Sequence, residues 1–177
     1  AEHVPDSQVL LVSKSPALVE QVQSSIEKQL GDLPRKEIAV KALENSKCIV
    51  MENAEDAMEL INEYAPEHLI ISCKDAEKVA DSVMNAGSVF LGNYSPESVG
   101  DYASGTNHTL PTNGYAKTYS GVSVDSFVKK ITFQQLSEPG LQHIAPIVIG
   151  MAEAEGLQAH ANAVRVRGNG ECENLKI

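Results

Sequence analysis

The sequence predicts an α/β fold built on a parallel sheet, and three observations support this prediction. Short runs rich in Val, Ile and Leu alternate with amphipathic stretches, which is the pattern of successive strand–helix–strand units. The strand-like runs are apolar throughout, as expected when helices cover both faces of a sheet. The stretches between them repeat apolar residues at helical spacing. We therefore expect parallel strands flanked by helices, followed by a C-terminal helical tail.

Local patterns place each element in turn. Gln8–Ser13 (QVLLVS) is a short apolar run that predicts the first strand. Ser15-Pro16 predicts the start of a helix to about Leu30, because proline suits a first helical turn. By the same reasoning the next elements are helix Arg35–Leu43, strand Cys48–Met51, helix Ala54–Tyr64 capped by Asn53, strand Leu69–Ser72, helix Asp75–Met84 and strand Ser88–Leu91.

The composition changes after Leu91. Residues 92–121 are rich in Gly, Ser, Pro, Asn and Tyr, and a long ordered loop of this kind is commonly functional. Val124–Leu136 predicts a short helix and then an extended piece. Ser137-Glu138-Pro139 predicts a helix start, with the end at Gly156, and Ala159–Arg167 predicts a last short helix. We expect a lobe over residues 1–136 containing an active-site loop at 92–121, a helical tail over 137–167, and disorder over 168–177.

Charge and cysteine content exclude some classes of function. Fourteen basic against 24 acidic residues give a net charge of −10, so we expect neither nucleic acid nor a membrane as a partner. Three widely spaced cysteines without a C-x-x-C pair favour a reducing compartment, the cytoplasm or a plastid. Neither the glycine-rich dinucleotide fingerprint nor the P-loop occurs between a predicted strand and helix.

The histidines are the most informative candidates. Four of the five, His3, His68, His108 and His160, lie in or beside predicted loops and element ends with polar companions. His143 lies within a predicted helix, and we assign it no role. A single loop histidine is most often a solvated side chain, so a functional role has to be inferred from the polar residues beside each histidine.

Two groups of polar residues that include or could join these histidines suggest proton transfer and metal binding. Glu67-His68 can supply two proton-transfer groups, although a helix-end acid beside a surface histidine explains the pair equally well. Asp101 follows a strand in a glycine-containing loop, where open α/β sheets bind ligands. Together with two imidazoles it would form a mixed nitrogen and oxygen ligand set suited to zinc. The spacing alone is not specific, since only folding can bring such residues together.

Five longer segments resemble histidinol dehydrogenase. They are AEHVPDSQV, YAPEHLIIS, NAGSVFLGNYSPESVGDYASGTNHTLPT, YSGVSVDSF and MAEAEGLQAHANAVRVR, and they cover nearly the whole chain in the family's order. The resemblance implies a zinc-containing, NAD-dependent enzyme of histidine biosynthesis. Such an enzyme oxidises L-histidinol through the aldehyde to L-histidine. The implied fold has two Rossmann-like lobes and a helical tail that swaps onto a dimer partner.

The resemblance assigns roles residue by residue. His3, Asp101 and His160 match zinc ligands, and Glu67 and His68 match the catalytic pair. His108 and Glu155 match substrate-contacting residues, and Asp101 and His160 would also face the substrate. The residues that bind NAD are not identified in this sequence.

The sequence departs from the family pattern at its start. The glutamine of the family's Q-A-E-H zinc motif would lie immediately before Ala1, and the family's N-terminal half is absent. We therefore expect a C-terminal portion with one incomplete Rossmann-like lobe and the tail. Glu155 and His160 would then serve the neighbouring subunit of a homodimer. Alternatives are a non-catalytic module that binds metal or imidazole, and a remnant that serves only in dimerisation.

Overall fold

The computed structural model describes residues 1–168, which divide into two compact units, residues 1–128 and the residues from Lys129 onward. The elements, in chain order, are β1 Leu10–Ser13, α1 Pro16–Leu30, α2 Lys36–Glu44, β2 Lys47–Val50, α3 Ala54–Tyr64, β3 His68–Ile71, α4 Ala76–Ala80, β4 Ser88–Leu91, α5 Glu97–Tyr102, α6 Glu138–Ala154 and α7 Gln158–Gly168. Single 3₁₀ turns occupy Tyr115–Lys117 and Val124–Phe127. The predicted α/β class is confirmed.

The strands pair two by two in the described part of the chain. β1 pairs with β2, Leu10 lying opposite Lys47, and β3 pairs with β4, His68 lying opposite Ser88. Both pairs are parallel. Each connection between paired strands contains helix, as is usual for the long crossover between parallel strands. The expected parallel sheet is therefore present as two separate ladders of two strands each.

Helix capping follows the sequence closely. The Ser15 side chain accepts a hydrogen bond from the Leu18 amide at 3.2 Å, and Pro16 is the first residue of α1. Asn53 caps α3 by accepting from the Glu55 amide at 2.9 Å. The predicted bounds of the Ala54–Tyr64 helix are confirmed, because its cap and its apolar stripe are both local features.

The core of the second ladder lies on one face of β3. Leu69, Ile71 and Ala76 are buried together, with Ile61 of α3 packed against them. The opposite face of the ladder carries His68, and Phe90 of β4 shares that face because it pairs with Ile70. One face of the ladder therefore anchors the helices, and the other faces the candidate site.

The predicted helix Asp75–Met84 is wrong in its second half, since α4 ends at Ala80. The buried side chain of Asn62 holds the following backbone in another conformation. Its Nδ2 donates to the Ser82 carbonyl at 3.0 Å, and its Oδ1 accepts from the Met84 amide at 2.8 Å and the Asn85 amide at 3.2 Å. A side chain 20 residues away thus replaces the helical hydrogen bonds.

The region predicted as a loop at 92–121 contains the short helix α5. The 3₁₀ turn Val124–Phe127 confirms the predicted short helix, and the chain forms neither helix nor strand from there to Ser137.

The second unit is built on two helices. α6 starts at its predicted cap, where Ser137 accepts from the Gly140 amide at 3.2 Å. It ends before Gly156, which adopts a left-handed conformation at φ +75°. Ala152 of α6 and Ala161 of α7 are buried, and Arg165 forms an ion pair with Glu153. Gly168, predicted to begin the tail, is the last residue of α7, and the rest of that prediction lies outside the described residues.

Candidate active site

Three titratable side chains converge at the beginning of β3. Nε2 of His68 lies 3.9 Å from Oε1 of Glu97 and 3.9 Å from Oδ1 of Asp101. One ligand atom from each residue lies within 4.8 Å of the other two, so the group has the geometry to hold a small cation. All three side chains are half-buried. The structure therefore brings together two residues predicted from sequence, His68 and Asp101, and adds a third.

The turn before β3 fixes the Glu67–His68 pair. Ala65 ends α3 in a left-handed conformation at φ +51°, which is unusual for a residue with a Cβ. The Glu67 carbonyl accepts from the Ser88 amide at 2.9 Å, and a Cβ on Gly87 would lie 2.5 Å from that carbonyl oxygen. Because only glycine permits this approach, the backbone of Glu67 lies directly against the start of β4.

Close packing of α5 brings Asp101 back to the start of β3. A Cβ on Gly100 would lie 2.5 Å from Cε1 of Phe90, so α5 and β4 touch at this point. The Thr106 hydroxyl donates to the Gly100 carbonyl at 3.0 Å, which anchors the end of the helix. The rings of His68 and Phe90 are 6.0 Å apart between centroids. Asp101, which was predicted to lie in a loop after a strand, therefore lies beside the N-terminal end of the neighbouring strand β3.

The electrostatics of the cluster centre on Glu97. Burial raises the pKa of this carboxyl above its ordinary value, and hydrogen bonding to Asp101 and the negative charge of Asp101 raise it further. His68 and His3 act in the opposite direction. Of the residues predicted to bind zinc, Asp101 therefore raises the pKa of Glu97 and His3 lowers it.

The most informative atom is Nε2 of His68. Within residues 1–168 it is the one buried side-chain nitrogen or oxygen that has no hydrogen-bond partner. Leaving such an atom unpaired costs about 1–3 kcal/mol. Buried unpaired polar atoms of this kind occur at sites that are completed by a ligand, a metal or water.

The other predicted residues of the first unit are exposed. His3 is held through its backbone, since its carbonyl accepts from Nη2 of Arg35 at 3.1 Å. His108 lies on a turn in which Oδ1 of Asn107 accepts from the Thr109 amide at 2.7 Å. Both side chains are accessible to a ligand.

The two predicted residues of the second unit lie at the junction of its helices. Glu155 follows the last residue of α6, and His160 is in the first turn of α7. Both are exposed. Their assignment to a site in a neighbouring subunit stays a prediction.

Glu97 was not among the site residues predicted from the sequence. The available signal is the spacing of Glu97 and Asp101, four residues apart after Ser95-Pro96, which is typical of one face of a helix that starts at a proline. Because the surrounding segment is rich in glycine and serine and α5 has only six residues, the sequence did not predict a helix here.

Comparison with known proteins identifies the family. The family model described as histidinol dehydrogenase matches residues 1–168. The chain belongs to the histidinol dehydrogenase family. A relative from Bacteroides fragilis (strain YCH46), a histidinol dehydrogenase, is 59% identical over 167 residues, which are 94% of this chain and 39% of the relative. A chloroplastic histidinol dehydrogenase of Oryza sativa subsp. japonica is 55% identical over 168 residues, 94% of this chain and 36% of the relative.

A crystal structure of a family member supports the fold. Histidinol dehydrogenase from Elizabethkingia anophelis superposes with a TM-score of 0.91 at 54% identity, covering 96% of this chain and 39% of that one. The resemblance inferred from the sequence motifs is therefore confirmed. The chain spans about two fifths of the length of these relatives, as the 39% coverage shows. No helix in the described residues has the length and apolar character needed to cross a membrane.

Proposed function

We propose that this chain supplies the acid–base pair and zinc ligands of a histidinol dehydrogenase. The reaction is the NAD-dependent oxidation of L-histidinol through the aldehyde to L-histidine. The observation that carries the proposal is the buried, unpartnered Nε2 of His68 beside two carboxylates, next to Glu67. The family resemblance assigns the catalytic pair to these same residues, Glu67 and His68.

The donor atoms fit zinc. Asp101 offers a carboxylate oxygen and His3 and His160 offer imidazole nitrogens, a mixed set that zinc accepts. His3 and Asp101 both influence the pKa of Glu97, which supports their closeness in the first unit. When bound, zinc would act as a Lewis acid and a template for the alcohol and amine of the substrate.

Two different residues of this chain would carry out the two proton transfers of the reaction. His68 would accept the hydroxyl proton of L-histidinol as the carbinol carbon gives up its hydride, for which NAD is the acceptor. The second oxidation requires water to add to the aldehyde carbon, and Glu67 would take the proton from that water. His108 and Glu155 would contact the substrate's imidazole or its amino-alcohol end, with Asp101 and His160 beside them.

We further propose a homodimer in which the helical unit serves the neighbouring subunit's site. The second unit exposes large apolar side chains on its extended segment and on α6, including Phe133, Ile147 and Met151. Large apolar side chains that lie exposed together are typical of a surface that another chain covers, and these residues support the proposal in that sense. Glu155 and His160 lie on this unit, and they would complete the site of the partner.

The test is restoration of activity by the missing portion of the enzyme. The hybrid enzyme is the B. fragilis relative with its matching segment replaced by residues 1–167 of this chain. We expect histidinol-dependent reduction of NAD by the hybrid, and by this chain mixed with the remainder of the relative as a separate polypeptide. Activity of the unmodified relative without activity of the hybrid would reject the catalytic proposal and favour a non-catalytic module.

Zinc binding provides a second test on the chain alone. His3 is exposed and close to Ala1, and the apparent affinity of a site falls with the population of its assembled form. We predict that the 177-residue chain binds zinc weakly or not at all and does not turn over histidinol with NAD, whereas the hybrid binds zinc stoichiometrically. Equilibrium dialysis followed by metal analysis measures both. Stoichiometric zinc on the isolated chain after gel filtration would contradict this prediction.

A further inference from the structure

The segment that carries His3 has no regular secondary structure of its own. Residues 1–9 form neither helix nor strand, and β1 begins only at Leu10. The Ser7 amide donates to the Val4 carbonyl at 3.1 Å, which closes a turn directly after His3. The position of the His3 imidazole therefore depends on contacts between this segment and the rest of the first unit.

The two ends of α2 supply such contacts. Nη2 of Arg35, the residue before α2, donates to the His3 carbonyl at 3.1 Å. Nδ2 of Asn45, the residue after α2, donates to the Pro5 carbonyl at 3.4 Å. Both hydrogen bonds reach main-chain oxygens, so they hold the segment beside α2 and leave the His3 ring available to a ligand.

Arg35 is itself fixed by the helix. Its carbonyl accepts from the Ile38 and Ala39 amides, both at 3.1 Å, so its backbone belongs to the start of α2. The helix is anchored in turn, because Ala39 and Ala42 are buried. The guanidinium stays protonated in proteins and offers five N–H donors, which suits it to hold a carbonyl oxygen. Arg35 thus connects a packed helix to the main chain of His3.

We propose that Arg35 is a positioning residue for zinc, which holds the main chain of His3 so that its imidazole is presented to the metal. This inference rests on the proposed function of His3 as a zinc ligand. The apparent affinity of a site rises with the population of its assembled form, so a contact that restricts the His3 segment strengthens zinc binding. Residues outside the ligand shell commonly orient the ligands of metal sites in this way.

The first test is the zinc affinity of the hybrid enzyme, measured by competition with a chelator. We expect Arg35→Ala to weaken zinc binding roughly 3–10-fold, the size of effect that loss of one hydrogen bond produces. Arg35→Lys, which keeps a cationic donor, should recover part of the loss. Lys36→Ala removes a charge of the same sign from the neighbouring exposed position and should leave the affinity unchanged.

A second measurement follows the His3 segment directly in the 177-residue chain without zinc. The ¹H–¹⁵N heteronuclear NOE of a backbone amide falls as its motion on the picosecond-to-nanosecond timescale grows. We expect Arg35→Ala to lower the NOE at His3 and Val4 and to leave Val12 of β1 unchanged, with partial recovery in Arg35→Lys. A contribution of Arg35 to global stability alone would not change the NOE at His3.

The outcomes separate this inference from the proposed function. His3→Ala should remove zinc from the hybrid, and wild-type zinc affinity in that variant would reject the proposed role of His3 and the inference with it. Loss of zinc in His3→Ala, together with wild-type affinity in Arg35→Ala or an unchanged NOE at His3, would overturn the inference alone. If Arg35→Ala fails to fold, Arg35→Met, which keeps an apolar stem without a donor, serves in its place with the same expected loss.

Discussion

The two units of the chain differ in how they bury their apolar side chains. In the first unit, the β3–β4 ladder has its own core of Leu69, Ile71 and Ala76, and the opposite face is shaped into a site. In the second unit the buried apolar residues are alanines, Ala152 and Ala161, and the larger apolar side chains are half-buried or exposed. The first unit therefore has a core of large apolar side chains beside its candidate site, whereas the second unit, in its described residues, has only small buried side chains, which is what our proposal that another chain covers it requires.

Removal of the acid–base pair from the first unit should give the largest effect, and the same kind of change in the second unit should give none. We predict that His68→Ala and Glu67→Ala each lower turnover of the hybrid enzyme by about 10²–10⁴-fold, the range for loss of a general acid or base. Zinc content should stay near that of the wild type. His143→Ala, which removes an exposed histidine from α6 in the second unit, is the matched control and should have no effect on turnover.

Metal analysis of the same variants tests whether His68 or Glu67 binds the metal instead. Loss of zinc in His68→Ala or Glu67→Ala would place that residue among the metal ligands. The distances from Nε2 of His68 to Glu97 and Asp101 make this a real alternative for His68.

Two helical glycines provide the next contrast. A Cβ on Gly100 would lie 2.5 Å from Phe90 and 2.9 Å from the Thr106 hydroxyl, whereas a Cβ on Gly150 of α6 would meet nothing within 4 Å. We predict that Gly100→Ala lowers the free energy of unfolding by about 1–3 kcal/mol through overpacking. Gly150→Ala should raise it by up to about 1 kcal/mol, the difference in helix propensity. Urea unfolding measures both, and equal stabilities of the two variants would contradict the close packing of α5 on β4.

These contrasts also show what the sequence could and could not predict. The bounds of α3 and the start of α1 followed from caps and apolar spacing, which are local. The early end of α4 did not, because it depends on hydrogen bonds from Asn62, a distant residue. His68 and Asp101 were candidates from sequence, but their meeting depends on the contact between Gly100 and Phe90, which no local pattern reveals.

The smallest expected effect concerns the charge of Glu97. Its pKa in the folded chain is raised above the ordinary value of 4.5, chiefly by burial, so folding favours the protonated form. The stability contributed by this group is present below the unfolded pKa and is lost as the pH rises through the folded pKa. Glu97→Gln should therefore be more stable than the wild type at pH 7, with the difference shrinking toward pH 4. Urea midpoints at the two pH values measure this, and Glu55→Gln, at an exposed position, is the control.

A wild type more stable than Glu97→Gln at pH 7 would show that attraction to His68 and His3 exceeds the effect of burial and of Asp101. That result would leave Glu97 as an ordinary ion-pair partner rather than a group held at a cost in stability.

The central claim is that the first unit supplies the acid–base pair of one site while the second unit supplies ligands to the site of the partner subunit. Mixing two inactive hybrid variants tests it directly. His68→Ala removes a residue of the first unit, and His160→Ala removes one of the second. In a mixed dimer both changes would fall in one site and leave the other intact. After dissociation and reassociation of equal amounts, half of the dimers are mixed, and we predict recovery of about one quarter of wild-type turnover. No recovery, with mixed dimers demonstrated by mass, would show that both residues act within one subunit and would contradict the account.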